Sequence, residues 1–364
     1  MKAGQRISKW SFYLALLPVT LGIGAWQGWA WWSWASAPPA VESPVANPNS
    51  EQTLQIHIPT GTGSQKIGRD LKAAGVIRSD DAWRLWAFWL SLRDRQGKFR
   101  SGTYKLPLNQ PLPVVAEKIW NGDVMQLSFT IPEGWSIKQM ATYFESQGFF
   151  SAADFLAAAS QIPSNQYAWL PKGLPHLEGF LYPDTYQLPS DRITPQQVIK
   201  QMLDRFEQVA LPLYQQNQNR TQLTLLQWVT LASIVEKEAA KTEESARIAG
   251  VFTRRLRQGM KLESDPTVEY GLSIRQTADQ PLTLSQVKTP SPYNTYLNPG
   301  LPPTAIASPS VISLKAVLYP ENTDYLYFVA RYDGTHVFSR TLQAHEAATK
   351  AIRQQQNAKP KKSP

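Results

Sequence analysis

The first hydrophobic block runs from Trp10 to about Trp34, broken mainly by Gln27, and follows Lys2, Arg6 and Lys9 with no acid among them. About 20 apolar residues suffice to cross a bilayer, so the block predicts one transmembrane helix over residues 10–34. Six of the thirteen tryptophans (Trp10, Trp26, Trp29, Trp31, Trp32, Trp34) fall in it. Most lie at its far end, where indole rings favour the headgroup interface. The three leading cations place residues 1–9 in the cytoplasm and the remainder outside it. A cleaved secretory leader is the rival reading, because Ala35-Ser36-Ala37 matches a small-x-small cleavage site. The run exceeds an ordinary leader core, however, and Pro38-Pro39 follows the would-be cut. Residues 35–52, rich in proline and small polar residues, read as an extended stalk.

Strand-like alternation appears next, twice. Leu54-Gln55-Ile56-His57-Ile58 and Leu127-Ser128-Phe129-Thr130-Ile131 each lead into a Pro-x-Gly turn and then a helical stretch that ends at glycine. The two copies are offset by 73 residues: Pro59 and Gly61 fall on Pro132 and Gly134, Gly75 on Gly148, and Asp81 on Asp154. The unit is strand, turn, helix, cap, repeated. After the first copy, Trp83, Trp86, Trp89 and Leu90 recur at helical spacing and predict core anchors rather than a sugar-stacking platform. Further on, Tyr325 to Val329 and His336 to Phe338 flank Asp333-Gly334 and predict a hairpin.

One helix is apolar nearly all round. Thr224 and Gln227 fit a capping box, and the run from Leu225 to Val235 continues into Glu236-Lys237-Glu238. Leu225, Val229, Ala232 and Glu236 share one face, so Glu236 extends a stripe of core residues. A carboxyl so placed loses solvation and can hold a proton near neutral pH, as a general acid requires. Leu231, Ile234 and Glu238 form a second stripe, so Glu238 is also a candidate. Alternatively, this is where a buried helix emerges into water and continues, charged, through Lys241, Glu243 and Glu244.

Composition narrows the chemistry. The 364 residues are 42% hydrophobic and 18% charged, which is enough for a real core in two or three domains. There is no cysteine and there are only four histidines, none at ligand spacing, so no metal site and no cofactor are expected. The net charge of +9 resides largely at the ends: eight cations in residues 1–9 and 350–364 leave +1 for Trp10 to Thr349. That excludes a nucleic-acid-binding body and makes residues 351–364 a basic, flexible tail. Three loops combine acids, aromatics and small polar residues and can line a carbohydrate groove: Leu177 to Tyr186, Glu263 to Gly271 and Ser291 to Tyr296. Structural turns account for the same composition.

The runs Ala232 to Glu238, Leu177 to Tyr186, Ser264 to Val268, Ser291 to Tyr296 and Tyr325 to Val329 resemble, in order, the endolytic murein transglycosylase (YceG-like) family over roughly residues 125–348. The resemblance implies an α+β chain: the membrane helix, a LysM-like strand/helix module over 53–125, and a mixed α/β catalytic region over 126–350. It implies a single-pass enzyme of the plasma (inner) membrane, its catalytic region periplasmic, that cuts nascent peptidoglycan strands internally, leaving 1,6-anhydro muramic ends, alongside cell-wall synthesis proteins. It also implies Glu236 as the catalytic residue; in the polar loops, Glu178, Tyr182, Asp184, Asp265, Thr267, Tyr293, Asn294, Thr295 and Tyr296 are the expected substrate contacts. A peptidoglycan hydrolase and a tethered binding scaffold without turnover are the alternatives. The family commonly has glycine where this chain has Thr304 and Ser310; these lie in a proline-rich turn away from the Glu236 motif, so a change in loop shape is expected before one in activity.

Overall fold

The computed structural model describes residues 13, 16–39, 53–189, 193–277, 280–331 and 333–357. The chain divides into two compact units, Met1–Leu127 with Gln187–Arg192, and Ser128–Tyr186 with Ile193–Pro364. It is a mixed helical and β protein whose described strands form three two-stranded sheets.

The first unit contains α1 (Leu17–Ser36), β1 (Thr53–Ile58), α2 (Ser64–Ala73), α3 (Asp80–Arg93), β2 (Gly102–Pro107) and α4 (Leu112–Asn121). β1 and β2 pair antiparallel, Thr53 opposite Pro107 and Ile58 opposite Gly102. Ile67, Leu71, Trp83, Leu90, Tyr104, Leu106 and Ile119 form the core beneath them. Trp83 is its largest member and donates its indole N–H to the Ser64 carbonyl at 2.9 Å. Trp89, by contrast, is 42% exposed, so of the three expected tryptophan anchors Trp83 is the one wholly in the core.

Among the described residues no helix is long and apolar enough to cross a membrane. α1 has 20 residues, but five tryptophans, three glycines and Gln27 dilute it. The start of the expected 10–34 span lies mostly outside the described residues. The helix also runs past the expected boundary into the supposed stalk: Ala35 is buried, and Trp32 stacks on Trp86 at 5.8 Å between ring centroids. Of that stalk, residues 40–52 lie outside the described residues.

The second copy of the repeat follows the same plan. β3 (Gln126–Thr130) leads through a turn to α5 (Ile137–Ser146) and α6 (Ala152–Ala159), and β3 pairs with β4 (Thr185–Pro189). Gly61 and Gly134 both have φ near +80°, at 82° and 73°, which only glycine adopts without strain. α7 (Pro195–Gln216), α8 (Leu225–Glu238), α9 (Ser245–Arg257), α10 (Asp265–Leu272), α11 (Leu284–Val287) and α12 (Val311–Leu318) complete the helical body. The chain closes with the expected hairpin, β5 (Tyr327–Ala330) against β6 (His336–Ser339), and α13 (Leu342–Asn357). α13 carries helix to residue 357, into the stretch expected to be a flexible tail; residues 358–364 lie outside the described residues.

α8 is the axis of the second unit. Its capping box forms as expected: Thr224 accepts from the Gln227 N–H, and the Gln227 side chain accepts from the Thr224 N–H. Every residue from Trp228 to Val235 is buried. The Trp228 indole donates to the Leu314 carbonyl, tying α8 to α12. An extended buried segment, Thr304 to Ser310, runs alongside: Ser233 Oγ accepts from the Ile306 N–H, and Ser308 Oγ donates to the Leu181 carbonyl. Gly179, at φ 84°, lets this segment close in, since a Cβ there would lie 2.4 Å from Ala305 Cβ and 2.7 Å from Val229 Cγ1.

Candidate active site

The helix ends at Glu238, because Ala239 is extended at ψ 100°; the charged continuation through Lys241 to Glu244 is a short separate turn at Thr242–Glu244 instead. Glu236 therefore sits in the last helical turn of α8, half-buried. Its Oε2 accepts two hydrogen bonds from one residue, the Ser310 N–H at 3.0 Å and the Ser310 O–H at 2.5 Å. Ser310 is also the N-cap of α12, accepting from the Ser313 N–H, so the carboxylate faces the positive end of a helix. Oε1 lies beside Gly134, 4.0 Å from where a Cβ there would stand. The Gly134 N–H donates to the Ser308 carbonyl and its own carbonyl accepts from Lys237 Nζ at 3.3 Å, which fixes the turn against α8. One carboxylate oxygen is thus anchored, and the other accepts no hydrogen bond among the described residues.

Glu133, in the same turn, feels this site: desolvation, then the charge of Glu236, push its carboxyl above the ordinary range. Tyr182 is buried, and that burial raises its phenol, with Glu133 and Glu236 adding to the effect. Asp184 binds Arg205 Nε at 2.6 Å with one oxygen and its own next N–H, that of Thr185, with the other.

Glu238 belongs to a second group. It accepts from Ser264 Oγ at 2.6 Å, and burial, opposed by that bond, lifts its carboxyl to about 7. Asp265 and Glu269 push the same way. Asp265 accepts from the Tyr296 O–H at 2.6 Å and from Gln276 Nε2 at 3.3 Å. Ser264 and Asp265 are presented by Glu263, a non-glycine residue at φ 52°, held by Arg255 at 2.9 Å.

The family's sequence profile matches residues 56–351, most of the chain. The chain belongs to the YceG-like family. Over 324 residues it is 30% identical to the endolytic murein transglycosylase of Bacillus subtilis strain 168, covering 85% of this chain and 88% of that protein. The endolytic murein transglycosylase of Streptococcus pneumoniae serotype 2 is 31% identical over 312 residues, which is 78% of this chain but 55% of that longer one. The crystal structure of a YceG-like protein from Listeria monocytogenes aligns with a TM-score of 0.56 at 30% identity, covering 82% of this chain and 100% of that one.

Against this YceG-like frame the expected site residues separate into two kinds. Asp184, Asp265, Tyr293 and Tyr296 retain partial exposure. Glu178, Thr267, Asn294 and Thr295 are buried and brace the loops. Glu178 accepts from the Ile137 N–H and the Tyr270 O–H, and burial lifts its carboxyl to about 8. Thr267 and Thr295 bond to each other at 2.8 Å, and Asn294 Nδ2 donates to the Val287 and Thr289 carbonyls. The side-chain polar atoms of these four bond within the protein, to its backbone and to one another. Ser310, which the sequence puts in a proline-rich turn away from the Glu236 motif, instead holds the Glu236 carboxylate through its N–H and O–H, because the Thr304 to Ser310 segment packs alongside α8. Thr304 shares a hydrogen bond with Tyr293, 2.9 Å between their oxygens. Glu133 and Gly134 were visible only as parts of a repeat; the turn signal was in the sequence, but not its partner 102 or 103 positions away.

Proposed function

We propose that this chain is a peptidoglycan lytic transglycosylase that cuts glycan strands internally, with Glu236 as its single proton carrier. The observation that carries the reading is the Glu236 carboxylate with Oε2 on Ser310 and Oε1 unclaimed by any hydrogen bond among the described residues. Family membership and the names of the Bacillus and Streptococcus relatives support the substrate.

Glu236 gives its proton to the oxygen joining N-acetylmuramic acid to the following N-acetylglucosamine. Negative charge then grows on the carboxylate, where the Ser310 N–H, the Ser310 O–H and the α12 N-terminus stabilise it most when it is fully developed. The carboxylate next removes the proton from the muramoyl 6-hydroxyl, whose oxygen attacks C1 of its own sugar and closes a 1,6-anhydro ring. The nucleophile is tethered, with effective molarities on the order of 10⁵ M or more for well-oriented cases, so a second carboxylate to activate water is not required. Asp184, Asp265, Tyr293 and Tyr296 are the partly exposed groups proposed to meet the glycan.

Residues 126–350 form the catalytic region in this reading, and residues 53–125, with their strand–helix–helix–strand order, a LysM-like module that holds the strand. The tryptophan-rich N-terminal segment, led by Lys2, Arg6 and Lys9, attaches the chain to the cytoplasmic membrane with the catalytic region outside, near the synthases whose product it trims. Glu238 supports a second assignment of the acid, because burial holds its proton close to neutral pH. Digestion of purified glycan strands by Glu236→Gln and Glu238→Gln, read by mass spectrometry, separates the two. Loss of anhydro product in Glu236→Gln alone supports the proposal, and loss in Glu238→Gln alone transfers the role.

A further inference from the structure

The core of the first unit leaves one face of α3 unpartnered by any element among the described residues. Ala82, Trp83, Ala87 and Leu90 point inward and are buried. On the opposite side Leu85, Phe88, Trp89 and Leu92 fall at i, i+3, i+4 and i+7, a single helical stripe, and are 55%, 62%, 42% and 58% exposed. Four large apolar side chains at this spacing, all open to solvent, mark an interaction surface rather than scattered exposure.

Three observations identify what covers it. The stripe is continuous with α1 through stacked indoles: Trp32 lies on Trp86 at 5.8 Å and Trp86 on Trp89 at 4.6 Å between centroids. α1 itself exposes Trp26, Trp29 and Trp34, the residue type that collects where hydrocarbon meets headgroups. The Arg93 guanidinium, which also pairs with Glu117 at 3.5 Å, lies 5.3 Å from the Trp89 ring centroid, and Arg78 lies 6.0 Å from that of Trp34 on α1. The charge of the whole chain divides the same way: residues 53–127 carry eleven Lys and Arg against six Asp and Glu, whereas residues 128–349 carry 18 against 20. An apolar stripe beside tryptophan rings, on the cationic part of the molecule, matches an anionic lipid surface.

We infer that the first unit lies on the membrane, with Leu85, Phe88, Trp89 and Leu92 of α3 seated among anionic headgroups. This rests on the membrane attachment proposed above and adds to it a second contact, made by a folded module rather than by the N-terminal segment. Its consequence is geometric: the module is held flat on the bilayer surface instead of swinging on a tether, which fixes the height at which a newly made strand meets it.

The absence of cysteine makes the test direct. Single substitutions Leu85→Cys, Phe88→Cys and Leu92→Cys in the full chain, with Ser91→Cys and Asp94→Cys as positions off the stripe, are labelled with an environment-sensitive fluorophore. Each protein is floated with vesicles of phosphatidylcholine and phosphatidylglycerol containing doxyl-labelled lipid. The expected result is a blue shift, with quenching at positions 85, 88 and 92 at least about twofold above that at 91 and 94, as for a helix lying in the interface. A chain that floats while all five labels read water overturns the inference and leaves attachment by the N-terminal segment standing. A chain that does not float overturns both. Shielding of positions 85, 88 and 92 without vesicles, growing with protein concentration, assigns the stripe to a second copy and likewise overturns it.

Discussion

Ser310→Ala probes the contact on which the proposed chemistry relies. The substitution removes the 2.5 Å O–H bond to Glu236 Oε2 and keeps the 3.0 Å N–H bond. Hydrogen bonds to charged groups contribute about 1.5–3 kcal/mol. Glu236 is half-buried, so the low end applies, and about 1.5 kcal/mol corresponds to roughly a tenfold fall in kcat. The same change deletes the α12 cap, where Ser310 Oγ accepts from the Ser313 N–H, at about 1 kcal/mol of stability, or a few degrees in Tm. The two effects separate. Ser310→Thr keeps both the hydroxyl and the cap and should restore most of kcat and Tm. Ser310→Gly keeps only the N–H to Glu236 and should fall with the alanine variant in rate. The assay is initial release of soluble glycan from purified strands, with kcat and KM resolved, beside thermal unfolding. If Ser310→Ala loses its few degrees of Tm but keeps full kcat, the serine serves the helix alone and the reasoning about Glu236 fails. A rise in KM at constant kcat also contradicts it, because charge that grows only in the transition state should appear in kcat.

Two further outcomes follow from the packing around α8. Glu178 binds its proton more tightly when folded, with a carboxyl lifted by burial to about 8 against 4.5 in the open chain. Its contribution to stability is complete below the lower value and is lost as pH rises to the higher one, at no more than about 1.4 kcal/mol per pH unit. Urea midpoints for Glu178→Gln should therefore fall less steeply between those values than for the native protein; parallel curves would refute this. Gly179→Ala places a methyl 2.4 Å from Ala305 Cβ at a φ of 84°, and should cost about 3 kcal/mol or more by chemical denaturation. A cost below 1 kcal/mol would mean that the Thr304 to Ser310 segment is not closed down on α8 as described.

What could be read from the chain was local. The α8 capping box, the hairpin at Asp333-Gly334 and the paired Pro-x-Gly turns each depend on residues within a few positions of one another, and each stands where expected. The Ser310 contact with Glu236 spans 74 positions, and nothing in the proline-rich turn marks its target. The polar loops show the same limit: composition does not say where a side chain's hydrogen bonds go, and Asn294 donates to the Val287 carbonyl while Thr295 accepts from the Ser264 N–H. At the N-terminus the tryptophans count toward a membrane block by pattern, yet together with three glycines and Gln27 they leave α1 short of the apolarity that a span requires. The side chain singled out as the acid, Glu236, is the residue that long-range packing then supplies with a partner.

Lyase and hydrolase chemistry differ in the source of the oxygen newly bonded to the muramic anomeric carbon. Purified glycan strands digested in heavy-oxygen water, with products weighed by mass spectrometry, report it in one experiment. Ring closure by the sugar's own 6-hydroxyl predicts anhydro ends with no label, from the native chain and not from Glu236→Gln. Reducing ends carrying one heavy oxygen, or unlabelled anhydro ends from Glu236→Gln at the native rate, would contradict it.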